Sequence, residues 1–436
     1  MTGHPRLVRA LGRWDFTALV VNGVIGSSVF GMPAVLAALT GAWSPLVVLL
    51  AAFGILPIVL CHAEVASRFR EAGGPYLYSR EAFGGFVGFQ AGWLSFWIRV
   101  SSMGANLNVF VNYLGEMWPA AGRPGGRALT MAVVAALVTI TNLRGVKQSA
   151  RTVDLFVVAK LAPLLGLALL GVWRVRAEVF AAQPVSVPDW TQAVLLLVFA
   201  YGGFEAALIP AGEVRDPRRD AAFSLLAALG IVATVYLLVQ LAVVGLVPEA
   251  ARAQAPVAAA YGVLLGAAGL TVAGVAAMVS TYGWTLGSTL TSPRILYSMS
   301  ERGDLPAWFG HVHRRFRTPD AAILVYGGAG LVFALSGGFA ANATLSAIVR
   351  LVTYGLVCAA LVALRRRPAA PPPAFRLRAG EVAAALGLAF CLWLISTRTF
   401  TQAWILLALV GVGSVLWWGA GRGRGRGSGG EAAAPV

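Results

Sequence analysis

The chain is a succession of apolar runs of about 20 residues set apart by short clusters of charge, the length at which an α-helix crosses the hydrocarbon of a bilayer. A backbone in lipid must satisfy its own hydrogen bonds, so such runs fold as helices. They predict an all-α membrane protein of twelve transmembrane helices. The spans of the first half are 16–37, 44–67, 86–116, 128–142, 154–173 and 190–211, and those of the second are 222–248, 267–298, 321–337, 342–363, 380–396 and 401–419. The run at 86–116 exceeds an upright crossing and predicts tilt or extension past the bilayer. With 58% of its 436 residues hydrophobic and 12% charged, the chain has no room for a sizeable domain outside the membrane.

A net charge of +16 would suggest nucleic acid in a soluble protein; in a membrane protein it reports topology and contact with anionic lipid, and no nucleic-acid partner is expected. Alternate connections carry most of the 34 Lys and Arg. These are Arg6, Arg9 and Arg13; Arg68, Arg70 and Arg80; Arg144, Lys147 and Arg151; Arg215, Arg218 and Arg219; Arg294, Arg302, Arg314, Arg315 and Arg317; Arg365, Arg366, Arg367, Arg376 and Arg378; Arg422, Arg424 and Arg426. The intervening connections hold only Arg123, Arg127, Arg174, Arg176, Arg252 and Arg398. The positive-inside rule then puts both termini in the cytoplasm, as expected for a multi-pass protein of the cell inner (plasma) membrane. No small-residue cleavage site follows the first run, so no removable signal peptide is expected. Cys61, Cys358 and Cys391 all lie in apolar runs, too scattered for a disulfide framework or a thiolate metal site, and are expected in the core.

Two runs are interrupted at their centres, the first by Asn22-Gly23-Val24-Ile25-Gly26-Ser27-Ser28 and the sixth by Tyr201-Gly202-Gly203-Phe204-Glu205. They lie five spans apart. Because five is odd, two repeats of five spans enter the membrane from opposite sides, the inverted-repeat layout in which broken helices build a midplane site. Residues 1–15 are then a cytoplasmic N-terminus, 16–173 and 190–363 the two repeats, and 364–379 a Pro- and Arg-rich linker. Residues 380–419 form two added spans, and 420–436 a disordered basic tail. At the first break the freed amides of Gly26, Ser27 and Ser28 suit an anion at the start of the following half-helix. Freed carbonyls at Val24, Phe199 and Gly202 suit an ammonium group. An α-amino acid carries both charges; the other reading of these glycines is close helix packing.

These runs resemble the amino acid-polyamine-organocation (APC) transporters. The likeness rests on Gly23 to Phe30, on Gly73-Gly74-Pro75-Tyr76, and on Phe199 to Glu205 followed by Gly212-Glu213-Val214-Arg215-Asp216-Pro217. It extends to Pro293-Arg294-Ile295-Leu296-Tyr297 through Arg302-Gly303-Asp304-Leu305-Pro306. The resemblance implies a five-plus-five inverted-repeat (LeuT-like) fold with discontinuous first and sixth helices, and alternating access by a secondary active transporter. It implies substrate contacts at Ser27 and Ser28 through their amides, at Val24, Phe199 and Gly202 through carbonyls, and an aromatic lining from Phe199 and Trp284. Ser28 departs from the glycine common at its position, and its hydroxyl adds a hydrogen bond or narrows the pocket.

Ionisable residues inside spans are costly and by default functional. Lys160 lies at mid-depth of the fifth span, where the resemblance puts a lysine near the sodium position of sodium-coupled cousins. It is expected either to couple transport to protons without sodium or to tie first-span carbonyls and eighth-span hydroxyls such as Ser288. Glu205 is a second candidate proton carrier. Arg99, Met103 and Asn106 share a helix face at i, i+4 and i+7; Arg99 is expected either to select against cationic side chains or to pair with Glu205, with Arg350 completing a triad. Glu64, Glu116 and Asp154 read as solvated end groups. The leading reading is proton-coupled symport of neutral or acidic L-amino acids, with exchange as the alternative. A transport-silent nutrient receptor would keep the same binding site. An intramembrane hydrolase would use Ser27 or Ser28 as nucleophile, but such a serine needs a nearby base, and of His4, His62, His311 and His313 only His62 is near a span. No cofactor or metal is expected.

Overall fold

The computed structural model of the protein describes residues 12–69, 73–145, 150–175, 184–208 and 214–427. Among them the regular elements are helices. In order the helices are α1 (Arg13–Val24), α2 (Ser28–Thr40), α3 (Ser44–Ala66), α4 (Gly74–Phe83), α5 (Gly85–Met117), α6 (Pro119–Gly122), α7 (Pro124–Leu143), α8 (Ala150–Val172) and α9 (Val187–Tyr201). They continue as α10 (Phe204–Ala207), α11 (Pro217–Leu246), α12 (Pro256–Thr291), α13 (Pro293–Glu301), α14 (Asp320–Ser336), α15 (Phe339–Arg366), α16 (Gly380–Ser396) and α17 (Phe400–Gly427). Each apolar segment read from the sequence carries one or two of them. Prolines stand in the first turn of α3, α4, α7, α9, α12 and α13, where their missing amide hydrogen is not needed.

Among the described residues six helical stretches are long and apolar enough to cross a bilayer, alongside the shorter apolar helices Lys160–Val172, Asp320–Ser336 and Gly380–Ser396. Their outward faces suit lipid: on α7, Leu129, Val133, Leu137 and Ile140 recur every three or four residues and are exposed. The long third run is α5, 33 residues and about 50 Å of helix, which packs against α12, α14 and α15. One end differs from expectation. α12 starts at Pro256 and kinks at Gly266, whose φ of 64° is open to glycine but strained for other residues. α17 runs from Phe400 to Gly427. Cys61, Cys358 and Cys391 are buried and unpaired.

Connections expected on one side of the membrane meet one another. Arg13 Nε donates to Asp220 at 2.9 Å, and the Thr318 hydroxyl donates to the Leu143 carbonyl at 2.8 Å. Tyr76 donates to Asp304 at 3.2 Å and Arg80 to the same carboxylate at 3.1 Å, joining the Gly73–Tyr76 motif to the motif that ends at Pro306. Burial works against the Arg80 charge, but Tyr76 and Asp304 outweigh it and hold that guanidinium above its ordinary pKa. Gly212 and Glu213 lie outside the described residues, as does the Asp154 side chain; Glu116 is exposed.

Glu64 corrects the sequence reading. Instead of a solvated end group it is fully buried, because the Pro- and Arg-rich linker folds back over the end of α3. Its two oxygens accept from Arg365 at 2.8 and 2.6 Å, from the Leu377 amide at 2.9 Å and from Arg68 at 3.4 Å. Arg68 also donates to the Pro371 carbonyl at 2.9 Å, and Ser67 exchanges hydrogen bonds with Phe375, each at 3.1 Å. The linker is a strap held by an ion-pair cluster.

Candidate functional site

The polar residues that interrupt the first and sixth runs separate α1 from α2 and α9 from α10. Gly202 and Gly203 break the second pair, and Gly203 takes φ 115°, a conformation that side chains with a Cβ rarely adopt. The two breaks cross backbone to backbone: a Cβ on Gly203 would stand 2.3 Å from the Gly23 carbonyl oxygen. Close packing of glycines and an exposed break are therefore one arrangement, not rival explanations. Among the described residues the amides of Gly26, Ser27 and Ser28 make no hydrogen bond within the protein, while the Ser27 carbonyl accepts from Phe30 at 3.2 Å and Gly31 at 2.9 Å to start α2. Those free amides sit at the positive end of a half-helix.

A cleft opens on this crossing. Val24, Gly26, Ser27, Ser28, Arg99, Phe199, Gly202 and Trp284, all expected at the site, line it, as do Gly23, Ser102, Asn106, Gly203 and Arg350. Trp284 covers the first break: a Cβ on Gly26 would lie 3.1 Å from its indole. Phe199 stands edge-on to Phe339, centroids 6.1 Å apart. The Ser27 hydroxyl and the Asn106 side-chain oxygen are buried without a partner. The carbonyl of Phe199 accepts from the Gly202 amide at 3.2 Å and that of Val24 from Tyr236 at 3.3 Å, each keeping a second lone pair. A neighbouring cavity shares Ser28 but is lined mainly by apolar side chains such as Met32, Leu36 and Val239 and by no charge, which does not suit a zwitterion.

Met103 is placed elsewhere. It is fully buried against α14, where a Cβ on Gly330 would meet its sulfur at 2.3 Å. Ser102, at i+3 from Arg99, takes the lining position instead, because the face that carries Arg99 and Asn106 also passes through 102. Sequence reasoning also missed Tyr236. Its hydroxyl shares a hydrogen bond with Ser28 Oγ at 2.8 Å and lies 3.1 Å from the Ala200 carbonyl and 3.3 Å from that of Val24, stitching the two breaks together. The Ser28 hydroxyl thus turns to α11.

Lys160 Nζ, from α8, donates to the Ile25 carbonyl at 2.9 Å and the Asn22 carbonyl at 3.2 Å. The ammonium occupies carbonyls freed by the first break. Ser288 is not its partner; it bonds to Tyr326 at 2.7 Å and Ser292 at 3.1 Å. Glu205 lies 3.2 Å from Arg350 NH1 and 3.8 Å from Arg99 NH2 through Oε1, while Oε2 accepts from the Gly203 amide at 2.8 Å and from Tyr354 at 3.0 Å. The triad forms. His62 lies behind it, edge-on to Phe204 and Tyr354, its Nδ1 2.9 Å from the Ile58 carbonyl, and hydrogen-bonds to neither serine.

The family model described as Amino acid permease matches residues 11–419. The chain belongs to the amino acid permease family. The permease is 28% identical over 408 residues to the methylthioribose transporter of Bacillus subtilis (strain 168), covering 89% of this chain and 88% of that protein. To the serine/threonine exchanger SteT of the same organism it is 26% identical over 371 residues, 83% and 84% of the two chains. To the large neutral amino acids transporter small subunit 2 of Oryctolagus cuniculus it is 26% identical over 388 residues, 85% and 72%. Membership makes this a multi-pass membrane permease and not an enzyme, and the hydrolase reading falls with it.

Proposed function

We propose that the permease is a secondary active transporter of amino acids, working by alternating access as a proton-coupled symporter of neutral or acidic L-amino acids. The observation that carries this reading is the cleft at the crossing of two broken helices, with free amides of Gly26, Ser27 and Ser28 on one side and carbonyls of Val24, Phe199 and Gly202 available on the other. An α-carboxylate takes the amides and an α-amine the carbonyls. Membership in the amino acid permease family supports the substrate class. The twelve spans are read as a five-plus-five inverted repeat, 16–173 and 190–363, with the two helices at 380–419 outside it; α1 with α2, and α9 with α10, are its discontinuous members. The basic loops lie in the cytoplasm with both termini, in the plasma membrane. Lys160 replaces a coupling sodium ion at the carbonyls of Asn22 and Ile25, and either it or Glu205 carries the proton. Arg99 and Arg350 exclude arginine, lysine and polyamines by charge.

A second reading, obligatory exchange, is favoured by the similarity to a serine/threonine exchanger. Uptake of labelled amino acids into proteoliposomes separates the two. Symport requires accumulation driven by an inward proton gradient in sodium-free buffer with empty vesicles. Uptake only into amino-acid-loaded vesicles selects exchange, a requirement for sodium removes the assignment of Lys160, and binding without any flux leaves a receptor.

A further inference from the structure

The charges at the crossing do not balance. Arg99, Arg350 and Lys160 bring three cations to it, and among the described residues Glu205 is the one carboxylate that pairs with either arginine. Glu205 Oε2 is occupied by the Gly203 amide and Tyr354, and Oε1 faces both guanidinium groups outside hydrogen-bond geometry. Arg99 is more than nine-tenths buried, lines the cleft, and its guanidinium donates no hydrogen bond among the described residues; its nearest charge is the Glu205 oxygen at 3.8 Å. Arg350 lines the same cleft with Nε unpartnered, its guanidinium so close to Gly202 that a Cβ there would stand 1.5 Å from NH1. One carboxylate cannot neutralise two buried arginines, and a buried charge left without a partner is costly.

An amino acid with a neutral side chain uses the amides and carbonyls of the breaks and leaves this imbalance as it was. One with a second carboxylate removes part of it. Resting on the amino acid reading above, we propose that the side-chain end of the cleft is an anion subsite and that the substrate is a dicarboxylic amino acid. Its α-carboxylate lies on the amides of Ser27 and Ser28, its side-chain carboxylate on Arg99 with Arg350 beside it. Arginine suits this role because its planar fork meets both oxygens of a carboxylate in charge-assisted hydrogen bonds. Glu205 holds the pair in place and lowers its charge, so that the anion is bound and also released.

The test compares each acid with its own amide, which has nearly the same shape and lacks the charge. Purified full-length permease is titrated with L-glutamate against L-glutamine and with L-aspartate against L-asparagine, at pH 7 and fixed ionic strength, by ligand-induced thermal shift and calorimetry. At least one acid is expected to bind about tenfold more tightly than its amide or better. In Arg99→Gln that preference is expected to fall below about twofold. Both amides binding as tightly as their acids, or a preference that survives in folded Arg99→Gln, overturns the anion subsite. If the variant does not fold, the wild-type comparison decides alone. Transport of neutral amino acids with no response to either acid defeats this inference and leaves the proposed function standing; binding and transport of no amino acid at all defeats both.

Discussion

Glu64 and Glu205 are both buried carboxylates set between two arginines, and they are built in opposite ways. At Glu64 both oxygens are engaged, by Arg365 through two nitrogens, by Arg68 and by the Leu377 amide, and Arg365 spends a further donor on the Leu377 carbonyl at 2.7 Å. At Glu205 one oxygen is engaged and the other only faces Arg350 and Arg99. In the first cluster the carboxylate is satisfied by its own chain and holds the linker over α3, although Arg68 Nε is left without a partner among the described residues. The second keeps unspent donors on a cleft. Satisfied buried networks rigidify, whereas each unsatisfied buried group calls for a physical explanation. The strap and the cleft thus differ in whether the carboxylate's own oxygens are filled: both are at Glu64, and Oε1 is not at Glu205.

The largest effect expected is on the strap. Glu64→Ala leaves Arg365 and Arg68 without their carboxylate, and breaking a buried ion pair from one side costs about 3–5 kcal/mol. Thermal unfolding in detergent should show a loss of that order, while the folded fraction keeps its substrate affinity within about twofold, since among the described residues the strap's hydrogen bonds go to Glu64, Ser67, Arg68, Glu81 and Arg218 and not to the cleft lining. An affinity that falls in step with stability breaks the comparison, because the strap would then be coupled to the site.

Ser27→Pro probes the other side. Ser27 sits at φ −68° and ψ −20°, which the proline ring accepts, so the substitution removes an amide donor without forcing the backbone. Binding should fall by about a hundredfold or more, since an α-carboxylate left short of a buried donor loses several kcal/mol, with an unliganded melting temperature close to wild type. Retained affinity would move the carboxylate away from the amides of α2. A smaller effect, roughly tenfold, is expected from Lys160→Gln on proton-driven accumulation. Counterflow of substrate, which needs no net proton movement, should survive it; loss of both would make the lysine a structural tie to Asn22 and Ile25.

The breaks were legible because glycines and polar residues in the middle of a run of apolar residues leave few other foldings, and Lys160 because a charge at mid-span needs a reason. Met103 was misplaced by the coarseness of helical spacing: i+3 and i+4 lie on neighbouring sides of the same face, and only packing on Gly330 decides between 102 and 103. Tyr236 left no signal, being a lone aromatic in an apolar run. Glu64 was misread for a deeper reason. Its partners at 365 and 377 are far away in sequence, beyond a proline-rich stretch whose composition indicates stiffness but not direction.

The smallest expected effect tests whether Ser28, which departs from the common glycine, belongs to the cleft or to the frame around it. Its hydroxyl is 2.8 Å from the Tyr236 hydroxyl, and Tyr236 has other acceptors in the carbonyls of Ala200 and Val24, so Ser28→Gly removes one hydrogen bond and strands no partner. The loss should be about 0.5–1 kcal/mol of stability, with substrate affinity changed less than about threefold because the amide remains. Tyr236→Phe removes the same bond and also frees both carbonyls, so it should cost more, and the double variant should show a coupling of about 0.5–1 kcal/mol. If Ser28→Gly instead weakens binding as strongly as Ser27→Pro, with no coupling to Tyr236, the hydroxyl faces substrate and the boundary between frame and cleft lies one residue further along α2.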